Sequence, residues 1–221
     1  MKSSMRPKRS TGKSGESPGR SDLGVAYAIA LIGTSWGGLA ALRTIVGCLP
    51  EGYELPIAVI QHRHRDSDAL LARFLQSHTH LQVCEIEDKQ TVEPGRVFIA
   101  PANYHLLVER GHFSLSIDAP VRYSRPSIDV AMTTAADAYG HRVVGVVLTG
   151  ANADGAAGLR RIADAGGFAI VQDPASAEVA TMPAAAIKAV PTARVLPLDR
   201  IGPLLATVPS MQVPPLEHRD A

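Results

Sequence analysis

Six short runs rich in β-branched residues punctuate the chain: YAIALI (27–32), IAVI (57–60), RVFIA (96–100), RVVGVVL (142–148), FAIVQ (168–172) and RVLPL (194–198). Continuous apolar runs of this length mark strands buried on both faces. Segments with helical spacing separate most of them: LAALRTIVGCL (39–49), SDALLARFLQSH (67–78), SIDVAMTTAADAYG (127–140) and GAAGLRRIADAGG (155–167). In the third, Pro126 is read as the first helical residue and Gly140 as the stop. The alternation predicts an α/β fold, doubly wound, with a mostly parallel central sheet and helices on both faces. One piece breaks the rhythm. HLLVERGHFSLSI (105–117) alternates on either side of Arg110-Gly111, which predicts one antiparallel hairpin.

The 221 residues, 46% of them hydrophobic, suffice to bury one sizeable core, so one domain is expected. Residues 1–24 differ in material: they hold Lys2, Arg6, Lys8, Arg9, Lys13 and Arg20 among Ser and Gly, and are read as a disordered basic tail. Residues 25–208 form the expected folded domain, and the Pro-rich 209–221 a flexible C-terminal tail. A formal charge of +1 argues against a nucleic-acid partner. No run approaches the roughly 18 apolar residues of a membrane span, so no membrane insertion is expected. The basic N-terminus has no apolar core behind it and is not read as a secretory signal. Cys48 and Cys84 are too few for a disulfide framework and are read as buried apolar residues of a cytoplasmic protein.

In folds of this class, chemistry gathers beyond the C-terminal ends of the strands. After the first strand comes Gly33-Thr34-Ser35-Trp36-Gly37, which fits Gly-x-Ser-x-Gly, a sharp turn that lifts a serine hydroxyl above the sheet edge. The following helix would aim its free N–H groups at a developing oxyanion. The plainer alternative is a glycine-rich turn with a capping serine. A dinucleotide site fails, because Ser35 stands where the second glycine belongs, and no Gly-Lys-Ser/Thr supports a phosphate loop. After the second strand comes Gln61-His62-Arg63-His64. His62 stands where a general base belongs. The alternative is a metal held by His62 and His64, with Asp154 or His105 as a third ligand. After RVVGVVL the chain turns through TGANADGAAGL. There Asp154 is either an ordinary N-cap or the carboxylate that orients the histidine, and an N–H near Ala151 or Asn152 could face the oxyanion. The order Ser…His…Asp differs from that of α/β-hydrolases.

These residues resemble the catalytic domain of CheB-type chemotaxis protein-glutamate methylesterases. The resemblance rests on Gly33-Thr34-Ser35-Trp36-Gly37-Gly38, Gln61-His62, EPGRVFIAPANYHLLV (93–108), RPSIDVAM (125–132), LTGANADGAAGL (148–159) and QDPASAEVATMPAAAI (172–187), over roughly residues 27–200. It implies Ser35 as nucleophile, His62 as general base and Asp154 as orienting acid. It further implies hydrolysis of glutamate γ-methyl esters on the cytoplasmic helices of methylated chemoreceptors, methanol release, deamidation of receptor glutamines, and no metal or organic cofactor. Two other readings remain: a catalytically weak binding module, or an esterase for another substrate.

Three departures stand out. The family's familiar architecture has an N-terminal receiver domain, whereas about 25 residues precede the first strand here, so a stand-alone esterase is expected. Trp36 occupies the place of a small threonine and would shade the serine or offer an aromatic contact. The family's Gly-Met-Gly-Asn-Asp-Gly reads Gly150-Ala151-Asn152-Ala153-Asp154-Gly155, so the oxyanion contribution of the methionine position falls to the backbone of Ala151.

Overall fold

The computed structural model describes residues 26–63 and 70–213. The expected tail over 1–24, and residues 214–221 of the expected C-terminal tail, lie outside the described residues, as does His64. Seven parallel strands form the central sheet: β1 (Ile29–Thr34), β2 (Ile57–Gln61), β3 (Gln82–Glu85), β4 (Arg96–Ile99), β7 (Val143–Val147), β8 (Phe168–Gln172) and β9 (Arg194–Leu196). Their order is β3-β4-β2-β1-β7-β8-β9. The predicted hairpin is β5 (His105–Glu109) against β6 (His112–Ser116), antiparallel and separate from the main sheet. The doubly wound architecture and its antiparallel exception are thus both present.

Strand period explains the three layers. In β1, Ala30 and Ile32 face α1 (Gly38–Val46), α2 (Leu70–Gln76) and α6 (Leu198–Thr207). Ile29 and Leu31 face the other way, toward α3 (Ile128–Tyr139), α4 (Ala156–Asp164), α5 (Thr181–Ala189) and the hairpin. All six β1 residues are buried, which is why the run reads as continuously apolar rather than alternating. Each large side chain buried in this way stabilises the fold by about 1.5–3 kcal/mol. Phe98 and Phe113 pack edge to face, with centroids 5.0 Å apart, and so fasten the hairpin to the sheet.

Several details differ from the sequence reading. Pro126 precedes the N-cap of α3; Ser127 is the cap and accepts from Val130 N. Strand β3, a half-exposed edge strand, and helices α5 and α6 have no counterpart in the sequence reading. Cys48 is exposed, because it follows the end of α1, and Cys84 is only half-buried on β3; both are free thiols. Val208–Ser210 form a 3-10 turn and Val213 is buried.

Candidate active site

The chain leaves β1 toward β2 and later returns to place β7 on the other flank of β1. This reversal opens a crevice at the C-terminal ends of β2, β1 and β7, the place where α/β sheets bind ligands. Gly33 pairs with Ile60 on one side and Val147 on the other, so the three strand ends stand abreast. His62 N donates to Thr34 O at 3.1 Å, and Leu148 N to Gly33 O at 2.9 Å. Ser35, His62 and the Thr149–Gly155 turn therefore emerge side by side.

The Ser35 turn is held from both flanks. Ser35 N donates to Thr149 O at 3.0 Å, and Gln61 Nε2 donates to Ser35 O at 2.8 Å. The Thr34 hydroxyl also donates to Thr149 O, and the Thr149 hydroxyl donates to Trp36 O. Gly37 takes φ 77°, a left-handed conformation costly for a side chain, before α1 begins. A Cβ at Gly33 would strike Ile128, so that glycine admits the start of α3 against the strand end. Ser35 itself is half-buried, and a Cβ built on Gly150 would come within 3.0 Å of its Cβ. The N–H groups of Trp36 and Ala151 meet no acceptor among the described residues. Trp36 follows Ser35 in the chain, and Ala151 follows Gly150, whose Cα lies against the serine.

His62 and Asp154 meet directly. His62 Nε2 donates to Asp154 Oδ2 at 2.8 Å; the imidazole is 12% exposed and the carboxylate fully buried. Asp154 also accepts from the Ser127 hydroxyl (2.9 Å), Ile128 N (2.7 Å), Asp129 N (3.0 Å) and Gly155 N (3.1 Å). Burial pushes its pKa up, but the hydrogen bond from His62 and those from the Asp129 and Ile128 N–H groups outweigh this. The carboxyl is held below its ordinary value.

The N-cap alternative for Asp154 takes an unexpected form: apart from one bond to Gly155 N, its carboxylate caps the start of α3, not of its own helix. Asp129 returns the arrangement, accepting from Gly155 N (2.9 Å) and Gly158 N (2.8 Å) at the start of α4. Burial, with the Asp154 charge beside it, raises the Asp129 carboxyl above its ordinary value despite those N–H groups and Arg122.

Behind this pair stands His105. Its Nδ1 accepts from Ser127 N at 3.2 Å and its Nε2 donates to Ala119 O at 3.1 Å. Both ring nitrogens are thereby occupied, so His105 serves as a brace for Ser127 rather than as a ligand. No group of three or more His, Cys, Asp or Glu with metal-binding geometry occurs among the described residues. Trp36 is 67% exposed, with its indole drawn to Glu178 through a 3.0 Å bond from Nε1. Sequence reasoning missed Ser127, Asp129 and the bracing role of His105. The available signal was the Ser-Ile-Asp opening of α3, whose Ser and Asp are capping types.

The model of the CheB methylesterase family matches residues 30–205. A Leptospira interrogans protein named for protein-glutamate methylesterase and protein-glutamine glutaminase is 45% identical over 80% of this chain and 93% of its own. The protein-glutamate methylesterase FrzG of Myxococcus xanthus is 39% identical over 81% of this chain, which spans 54% of that longer protein. Among solved structures, the Thermotoga maritima CheB methylesterase catalytic domain superposes with a TM-score of 0.78 at 34% identity, over 82% of this chain and 98% of that one. No helix among the described residues is long and apolar enough to cross a membrane. By the family model and these likenesses, the chain belongs to the CheB methylesterase family.

Proposed function

We propose that this protein is a serine esterase that hydrolyses glutamate γ-methyl esters on the cytoplasmic helices of methylated chemoreceptors. The observation that carries the reading is the 2.8 Å His62–Asp154 bond at the strand edge beside the Ser35 turn. Because Nε2 of His62 is committed to Asp154, Nδ1 is the nitrogen left to take the Ser35 proton. The hydroxyl oxygen attacks the ester carbonyl while Nδ1 receives that proton. Asp154 stabilises the resulting imidazolium and fixes its tautomer. The Trp36 and Ala151 N–H groups then receive the oxyanion, for which their lack of other acceptors suits them.

Collapse of the tetrahedral adduct breaks the bond to the methoxy group, which leaves as methanol with the proton from His62. Water, deprotonated by the same imidazole, then attacks the acyl-enzyme and returns free glutamate and Ser35. A glutamine side chain in the same position would lose ammonia instead, the second activity in the name of the Leptospira relative. The sequence of steps uses only this chain's residues and water.

Methanol release from receptor membranes methylated with a labelled methyl group tests the proposal. Wild type releases label, and Ser35→Ala falls to background while its melting temperature stays near wild type. Normal release by that variant would remove Ser35 from the mechanism, and absence of release by wild type would remove the substrate assignment.

A further inference from the structure

Beyond β6, residues 117–126 lead toward α3 through a tight turn at Val121–Ser124, whose Tyr123 and Ser124 share a cleft with His62. Val121 N donates to Ser124 O (3.1 Å) and Ser124 N to Val121 O (2.9 Å), which makes a two-residue hairpin. Its central residues, Arg122 and Tyr123, have φ 49° and 64°. Turns with two left-handed central residues are ordinarily built from Asn and Gly, since other side chains are strained there. Here an arginine and a tyrosine occupy both positions, and the tyrosine ring is fully exposed. Strain at an exposed site persists only where surrounding structure holds it, and such outliers gather where ligands are gripped.

The base of the turn is held firmly. Arg125 Nη1 donates to Ile117 O and Asp118 O (2.7 and 2.9 Å), and Nη2 to Asn103 Oδ1 (2.6 Å). His105 Nε2 fixes Ala119 O in the same segment. On the inner side, Arg122 Nε lies 3.5 Å from Asp129 Oδ2.

Between this turn and the catalytic histidine lies a cleft of about 460 Å³, with His62 in one wall and Pro120, Tyr123 and Ser124 in the other. Arg63 and Arg125 complete its charged lining; no carboxylate lines it among the described residues. Arg63 pairs with Glu85 through Nη2 at 2.6 Å, and its Nε and Nη1 are buried without an acceptor among the described residues. Among the described residues, every acceptor of Arg125 is a neutral oxygen, and its Nε is buried without one. Among the described residues, the lining therefore carries the Arg125 charge, which no carboxylate balances, beside an Arg63 that Glu85 balances.

We infer that this cleft and the Val121–Ser124 turn form the subsite that reads the substrate polypeptide, with Tyr123 as a specificity-determining residue packing on an acidic segment next to the esterified glutamate. The inference rests on the esterase reading above and adds what the enzyme recognises beyond the ester. Surplus guanidinium charge favours carboxylates flanking the ester. A bare ring supplies contact area at small entropic cost, because only two torsions need be fixed. Holding the ring on a strained turn keeps it from folding back onto the protein.

Steady-state methanol release from a synthetic helical peptide bearing one glutamate γ-methyl ester and acidic flanking residues tests this. Tyr123→Ala raises KM about tenfold with kcat within twofold, the pattern of lost ground-state binding, and Tyr123→Phe restores it. Tyr123→Gly raises the melting temperature by relieving the turn and yet loses KM as the alanine variant does. For wild type, replacing the flanking Glu by Gln in the peptide raises KM about tenfold, and so does adding salt. A KM for Tyr123→Ala within twofold of wild type would overturn the role of the turn. Equal KM values for acidic and neutral peptides would overturn the acidic class. Wild type inert on both peptides while hydrolysing a small acyl ester would overturn the receptor reading, and this inference with it.

Discussion

The two walls of the crevice are built on opposite rules. On the side of α3 and α4, the Asp154 carboxylate is fully partnered: it accepts from His62, Ser127, Ile128, Asp129 and Gly155, and none of it reaches solvent. On the side of the Val121–Ser124 turn, backbone sits in unfavourable φ, an aromatic ring is bare, and buried guanidinium nitrogens lack acceptors among the described residues. The first wall spends its hydrogen bonds on position. The second leaves its bonding capacity open. Groups that must not move during turnover are over-determined, while groups that meet a variable partner are left unpaired, at a cost in stability.

Breaking the satisfied wall has the largest expected effect. Asp154→Asn keeps the shape but turns an amide NH2 toward backbone N–H donors and leaves the histidine in the wrong tautomer. Its kcat on a small acyl ester falls by about 10⁴-fold. Chemical denaturation shows a loss of roughly 3 kcal/mol, because buried donors lose their acceptor. Ser127→Ala removes one donor to Asp154 and the α3 cap together. It costs about 1–2 kcal/mol of stability and a smaller factor in kcat than Asp154→Asn. Equal kcat for Ser127→Ala and wild type would show that the remaining donors suffice to hold the acid.

Acid titration separates the two carboxylates. Asp154 has a folded-state pKa below its unfolded value, so its stabilisation is present above about pH 3.9 and is lost as pH falls through the lower folded value. Asp129 is raised, so its contribution is present below about pH 3.9 and is lost as pH rises through its folded value. Asp129→Asn retains an acceptor for Gly155 and Gly158 without the charge. The variant's melting temperature gains on wild type as pH rises from 4 to 7, a smaller effect than that of Ser127→Ala. An unchanged difference across that range would show that the Asp129 charge is fully compensated by Arg122 and the α4 N–H groups.

The smallest effect lies outside both walls. The Trp36–Glu178 bond is exposed, so Glu178→Gln changes stability by less than about 1 kcal/mol. A larger loss, read by thermal melting, would place the indole among the groups that hold the Ser35 turn.

Much of this fold is legible in the sequence because parallel strands buried on both faces must be apolar throughout. The elements that escaped are those lacking that signature. Strand β3, QVCE, lies at the sheet edge with its residues half-exposed, and so shows no continuous run. Helix α5 carries Pro183 in its first turn and α6 carries Pro203 internally, and each proline reads as a break in a helical pattern. Pro126 stands two positions before the first helical residue rather than at it, because Ser127 takes the N-cap.

At the site, Ser35, His62 and Asp154 could be named because each follows a recognisable strand. The Ser127–Asp154 bond could not, since its partners are 27 residues apart and their meeting depends on how α3 docks on α4. Neither could the Arg122–Tyr123 turn, whose residues give no turn signal at all.

The exchanged carboxylates have a consequence for motion. Asp154, from the start of α4, closes the first turn of α3, and Asp129, from α3, closes the first turn of α4. Neither helix can fray at its N-terminus without releasing the other. The amide hydrogens of Ile128, Asp129, Gly155 and Gly158 should therefore exchange with solvent as one cooperative unit, at a rate set by separation of the two helices. The acid that steadies His62 belongs to that unit, so heating should extinguish catalysis when the helix pair opens, whatever the rest of the sheet still holds together.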